Sequence, residues 1–332
     1  MLQIFQSIFG IGEACGRYPE SLIQSAIERV VDGTDPRLRG LPGYRKHLRA
    51  PVLHAIDHIV ALVDNLPTPL PAKYGDDNPL TTLFASAKHM LDVFTNDAAL
   101  CEFRSGQSGL AEQVTTLLMM EREEKHVLGM DMVDDILRRD VVQVVENFRA
   151  PRLVEPSASV EEARRQLKRR GFDHLLGLVL TRLSKVQREH ADLNRQRTLL
   201  RRKLSALKHV GLGFEDEHES QSEPAALRAE LEDVEGQLTA LGIDNNVLQV
   251  HLDIICDMLA TAEQQFWIED IELPLDRMNV RRDAQDPSAR KIRLHELHDP
   301  YGRQIVMLLV SISLDDLPPR EDFFTAAKRY LG

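Results

Sequence analysis

Two runs of apolar residues spaced alternately by three and four constrain this chain more than any other feature. The first runs Leu176, Val179, Leu183, Val186, His190, Leu193, Arg197, Leu200, Leu204, Leu207. The second runs Leu227, Leu231, Val234, Leu238, Leu241, Asn245, Leu248, Leu252, Ile255, Leu259. Such alternation is the seam of a left-handed coiled coil. Two seams joined by a short polar connection are most simply closed against each other within one molecule.

Charge points the same way. Residues 163–210 carry fourteen Lys or Arg against three acids, a local net of +11, whereas residues 223–270 carry eleven acids against Arg228 alone, a net of −10. Either arm repels a copy of itself, and antiparallel pairing neutralises both. Flanking charge selects partner and orientation more than it adds affinity. The matching register sets Leu207 level with Leu227, Leu200 with Val234, Leu193 with Leu241, Val186 with Leu248 and Val179 with Ile255. His190 then meets Asn245, a polar layer that costs stability and fixes register, and Arg197 lies beside Leu238. Gly211 and Gly213 suit a helix C-terminus, and Ser222 with Pro224 suits the next N-terminus. The connection 211–222 holds Glu215, Asp216, Glu217 and Glu219, read as a solvated acidic tip that could dock a basic partner. Arms of forty to fifty residues span roughly 60–75 Å.

Around the hairpin the text is mixed. Residues 20–100 read as short amphipathic helices, the first with Leu22, Ile23, Ile27 and Val30 or Val31 on one stripe. A Gly/Pro-rich connector covers 33–51, and a helix follows over about 52–63. Residues 114–132 read either as two strands turning at Glu123–Glu124 or as one helix. Residues 140–156 read as a strand, rich in Val and ending in Pro. Three β-like runs follow the second arm, the last two joined by a Pro-Tyr-Gly turn. The expected fold is α+β and predominantly helical, with a long antiparallel coiled-coil hairpin inserted in a body that holds a small, mostly antiparallel sheet. The expected modules are an N-terminal helical module (1–110), a mixed body (111–160 and 264–332) and the hairpin (161–263).

The 332 residues carry a net charge of −11 and have a pI of about 5.6. This balance argues against non-specific nucleic-acid binding by the whole molecule. Cys15, Cys101 and Cys256 form no framework, which fits a reducing, cytoplasmic setting. No run approaches the twenty apolar residues of a membrane span. The apolar residues among 2–9 lack the basic start and cleavage site of a signal peptide; they suit docking on the protein's own body, with dimerisation or peripheral membrane contact as alternatives.

No linear motif for catalysis is present: no phosphate loop, no G-x-S-x-G, no H-E-x-x-H. His54, Asp57 and His58 share a helical face but lack a further ligand. Glu123 and His126 have the Glu-x-x-His spacing of di-iron bundles without the second copy those sites need. His295, Glu296, His298 and Asp299 read as a hairpin end. No metal or cofactor is expected. Arg37, Arg39, Arg45, Lys46 and Arg49 crowd into thirteen residues without an acid. They read as an anion-binding loop or, alternatively, as cations neutralised by the acidic remainder of the chain. The function expected from these features is that of a non-enzymatic cytosolic scaffold that reaches a protein partner with its stalk. The alternatives are an enzyme with a discontinuous site in the body, and an anion or nucleic-acid binder acting through the 37–49 loop.

Overall fold

The structure, a computed structural model, describes residues 18–75, 78–106, 112–133, 136–210, 222–241 and 243–319. In chain order the helices are α1 (Glu20–Gly33), α2 (Tyr44–Asp64), α3 (Leu80–Leu83), α4 (Ala87–Asn96), α5 (Ala98–Gly106), α6 (Val160–Val210), α7 (Ser222–Leu241), α8 (Ile243–Ala260) and α9 (Ala262–Gln265). The strands are β1 (Leu70–Pro71), β2 (Gln113–Val133), β3 (Ile136–Ser157), β4 (Trp267–Leu275), β5 (Arg290–His298) and β6 (Gln304–Ser313). Helix makes up 56% and strand 26%, and the sheet is antiparallel apart from β1, so the mixed, helix-dominated class expected from the sequence holds.

The chain divides into two compact units. Of the described residues, one holds Asp57–Gly171 and 263–319; the other holds 18–56 together with Phe172–Ala262. Within the expected N-terminal module, residues 20–56 and 57–106 fall in different units. The apolar stripe of α1 (Leu22, Ile23, Ile27, Val30, Val31) is buried within the unit that contains most of α6, and Arg29 forks onto Asp173 at 2.6 and 2.5 Å. Residues 57–106 belong instead with the sheet.

The first unit is built on the strand order β3-β2-β6-β5-β4, with β1 beside the end of β6. The short stretch Val280–Arg281 bridges both outer strands, Leu275 of β4 to Arg281 and Val145 of β3 to Val280. Hydrogen bonds from Glu146 N to Asn279 O (2.9 Å) and from Arg281 N to Val144 O (2.8 Å) complete the link, so the sheet closes on itself as a small barrel. Closure pairs the outer strands where the ring forms, as in a barrel.

Alternation fills the interior. Val114, Leu118 and Met120 of β2, Val306, Leu308 and Val310 of β6, and Ile292 and Leu294 of β5 share one core with Leu83, Phe84, Met90, Phe94 and Leu100 from α3–α5. The opposite face, with Leu117, Met307 and Leu309, packs on Val63, Leu66 and Leu167. Ser86 caps α4 and Asp97 caps α5, and the second oxygen of Asp97 accepts from Leu153 N at 2.9 Å, tying that helix to β3.

Both alternatives read for 114–132 are overturned. Residues 113–133 form one continuous strand with no turn at Glu123–Glu124. The charged run that suggested a turn is accommodated by partners across the sheet, Glu123 with Arg149 and Arg122 with Glu146 and Glu296. Three register shifts along β2·β3 each place an extra residue on β3, where Asp140, Ala150 and Glu155 have positive φ. Bulges of this kind sharpen local twist and help a long hairpin curl into a ring.

In the second unit, helix begins at Tyr44 and continues through Pro51, so the expected 33–51 connector is shorter. Proline removes one helical N–H and leaves the carbonyl four residues back without its usual donor. That carbonyl, on His47, accepts instead from the Cys256 thiol at 3.7 Å.

Candidate interaction site

The crowded arginines of 37–49 are already paired. Arg37 lies 2.8 Å from Asp35, Arg39 lies 3.0 Å from Glu28 and 2.7 Å from Asp32, Arg45 lies 2.8 Å from Glu28, and Arg49 lies 2.5 Å from Glu20. The geometry therefore matches the alternative of internal neutralisation, because α1 lines the loop with carboxylates that an external anion would have to displace. Arg49, aided by Gln24, holds the Glu20 carboxyl down to about 2. Burial pushes the Glu28 carboxyl up, but Arg39, Tyr44 and Arg45 outweigh it and the net shift is downward. Lys46 is exposed beside them.

Glu215, Asp216, Glu217 and Glu219, and the apolar residues 2–9, lie outside the described residues. The helices that flank the acidic tip are described. Leu200 of α6 and Val234 of α7, expected as partners, share a buried cluster with Leu238, packed by Leu193, Leu227 and Leu231. Across the same pair, Arg201 reaches Glu235 at 2.6 Å and Gln196 reaches Glu230 at 3.3 Å. Nearer the base, Val179, Leu183, Val186, Leu252, Ile255 and Leu259 are all buried.

The return arm is not one helix. Asn246 has non-helical φ/ψ inside α8, so the arm is kinked there. A short polar side chain such as that of Asn246 competes for backbone hydrogen bonds, which suits a kink there. Asn245, expected opposite His190, lies outside the described side chains. His190 faces Asn194 of its own helix at 3.0 Å. A buried polar contact lies at His251, whose Nδ1 is 2.7 Å from Asp35 and whose Nε2 is 3.3 Å from Gln187. Arg37 first, and His251 after it, hold the Asp35 carboxyl well below the usual carboxylate range despite burial.

Two further features of the barrel unit are absent from any sequence motif. Inside the barrel, Arg122 forks onto Glu296 at 2.6 and 3.2 Å and also reaches Glu124 (2.9 Å) and Glu146 (3.1 Å). Arg281 joins Glu124 at 2.6 Å and also Glu146. Glu146 and Glu296 are fully buried. Burial alone would lower the Arg122 guanidinium, but the surrounding carboxylates, Glu296 foremost, hold it above its ordinary value. His298 closes the cluster, stacked on Trp267 with its Nε2 3.2 Å from Glu296, while His295 pairs with Asp270. Among the described residues no three His, Cys, Asp or Glu converge as a metal-ligand set.

Beyond Glu121, where β2 last pairs with β6, β2 and β3 continue as a ribbon out to Val133 and Ile136. Its cross-strand pair Leu128 and Val142 is 69% and 65% exposed, and Met130 is 60% exposed. Among the described residues no helix is long and apolar enough to cross a membrane. No protein-family model, curated protein or solved structure matches this chain.

Proposed function

We propose that this chain is a non-enzymatic interaction protein, a scaffold whose α6 and α7 arms act as a coiled-coil stalk carrying the 211–222 connection to a basic protein partner. The observation that supports this reading is the shared cluster of Leu200, Val234 and Leu238, flanked by the Arg201–Glu235 pair. It brings the strongly basic arm beside the acidic one, as a helical hairpin requires. Once the arms neutralise each other, the acids Glu215, Asp216, Glu217 and Glu219 hold the uncompensated charge of the stalk. A cytoplasmic setting belongs to the same proposal.

The test is a capture experiment from native lysate. The full chain is compared with a version in which 193–241 is replaced by a short turn, and with a Glu215→Gln/Asp216→Asn/Glu217→Gln/Glu219→Gln variant. The basic protein captured by the full chain is expected to be lost from both. Equal capture by all three sinks the proposal.

A further inference from the structure

A cavity of about 240 Å³ lies beside the end of β6, wholly within the barrel unit. Its walls come from segments distant in sequence. One is the strap 71–73 at the end of β1. It is held by Ala72 N to Ser311 O at 2.8 Å, by Lys73 N to Pro71 O at 2.7 Å and by the Asn78 amide to Pro71 O at 3.1 Å. Another is the turn 314–317 after β6, tied to the start of β2 by Leu314 N to Glu112 O at 3.0 Å. Leu91 and Phe94 of α4, with Ile312 and Leu317, give the apolar part of the lining. Backbone ties of this kind pre-form the walls, as sites for small molecules require.

The polar part of the lining is unspent. Lys73, Gln113 and Asp316 all border the cavity from exposed positions, and among the described residues none of their side chains has a hydrogen bond or ion pair. Elsewhere in the same unit, neighbouring opposite charges close on each other. Arg282 lies 3.0 Å from Asp276, and Arg303 lies 2.7 Å from Asp299. Lys73 and Asp316 border one cavity and stay apart. A few polar groups converging on an apolar, concave lining is the make-up of a ligand site.

The lining also restricts the ligand. A plain anion attracted by Lys73 meets the like charge of Asp316, and a plain cation attracted by Asp316 meets Lys73; a molecule with both charges satisfies the two together. Lys73 carries its ammonium on a flexible four-carbon stem and so adapts to the position of a carboxylate. Leu91, Phe94, Ile312 and Leu317 favour hydrocarbon on the rest of the ligand. The volume falls below the roughly 300–1,000 Å³ of drug-sized pockets, so the occupant is smaller than a drug-sized molecule.

We propose that this cavity binds a small zwitterion with an apolar body, its carboxylate on Lys73, its ammonium on Asp316 and its hydrocarbon against Leu91, Phe94, Ile312 and Leu317. Free apolar α-amino acids, whose charges are adjacent, and ω-amino acids, whose charges are separated, share this chemistry. The site is independent of the helical arms and stands or falls apart from the stalk proposal.

Isothermal titration calorimetry of the full chain with L-leucine, L-phenylalanine and 6-aminohexanoate tests it. Saturable one-to-one binding with a Kd of about 1 mM or tighter is expected for at least one probe, and the preferred probe identifies the charge spacing. The amide and the N-acetyl derivative of that probe each lack one charge and should bind about fivefold or more weakly. Lys73→Met should erase the preference for the acid over its amide and leave the preference for the free amine. Asp316→Asn should do the converse. A merely structural role for either residue would not separate the two preferences. Leu91→Trp fills the cavity and should abolish binding. Circular dichroism checks that each variant is folded, and the two exposed charge variants keep the test decisive if Leu91→Trp unfolds. No saturable binding of any probe up to about 10 mM overturns the proposal. So does binding in which the amide and the N-acetyl derivative match the parent probe, binding whose two preferences survive both charge variants, or a folded Leu91→Trp chain that binds as the parent does.

Discussion

Arg122 illustrates how much one residue can hold. Its guanidinium reaches Glu124, Glu146 and Glu296 inside the barrel, and two of those carboxylates are fully buried. Removing the cation leaves Glu146 with Arg281 alone and Glu296 with His298 alone, and breaking such a buried pair typically costs about 3–5 kcal/mol. Arg122→Met is therefore expected to lower stability by that amount in urea titration, with Arg122→Lys recovering only part, because an ammonium cannot fork onto a carboxylate. A cost below about 1 kcal/mol for Arg122→Met would mean the cluster is wet or loosely held. None of this was legible from the sequence. Arg122 sits in the run Glu121–Lys125, whose charge density is that of an exposed turn, and its partners Glu146 and Glu296 come from strands 24 and 174 positions away. His251 was hidden for the same reason. It lies one place before the seam position Leu252, and its burial depends on Asp35, 216 positions earlier.

At the scale of elements, apolar seams and surface charge make unequal contributions. Leu200 is buried between Val234 and Leu238, whereas Arg201 and Glu235 are both well exposed. Leu200→Ala should cost about 2–4 kcal/mol as a cavity, and Arg201→Ala less than about 1 kcal/mol. Guanidinium unfolding monitored by helical dichroism measures both, and the reverse ranking would remove the seam as the source of the pairing. Elements with a clear apolar period were readable: the stripe of α1, and the spacing that puts Leu200, Val234 and Leu238 in one buried cluster. Elements set by compensation were not. Helix α2 runs through Pro51, and the carbonyl that proline leaves bare meets the Cys256 thiol at 3.7 Å, a partner 209 positions away. Strand β3 takes its bulges at Asp140, Ala150 and Glu155, and only Asp140 is of a type that often adopts positive φ.

Across the whole molecule, carboxylates outnumber cations, and several are held below their ordinary range by arginine. Glu20 is lowered to about 2 by Arg49, Asp35 is lowered by Arg37, and Glu124 by Arg281. A depressed carboxyl contributes stability that is complete above its unfolded value, near pH 4–4.5, and is lost as pH falls through the folded value. Stability should thus be nearly flat from pH 7 to about 5 with respect to these groups and fall steadily from about pH 4.5 toward 2. Urea midpoints at pH 7, 5, 4 and 3 check this; a midpoint that rises on acidification contradicts it. The sequence alone determined the class of the fold, the positions of the outer β-strands and the complementarity of the two charged arms, because hydrophobic period and net charge are local properties of a chain. Tertiary structure alone decided that the sheet closes through Val280–Arg281, that the arginines of 37–49 are already paired, and that Arg122 and His251 lie inside. Each of these depends on distant residues meeting, and periodicity carries no information about which distant residues will meet.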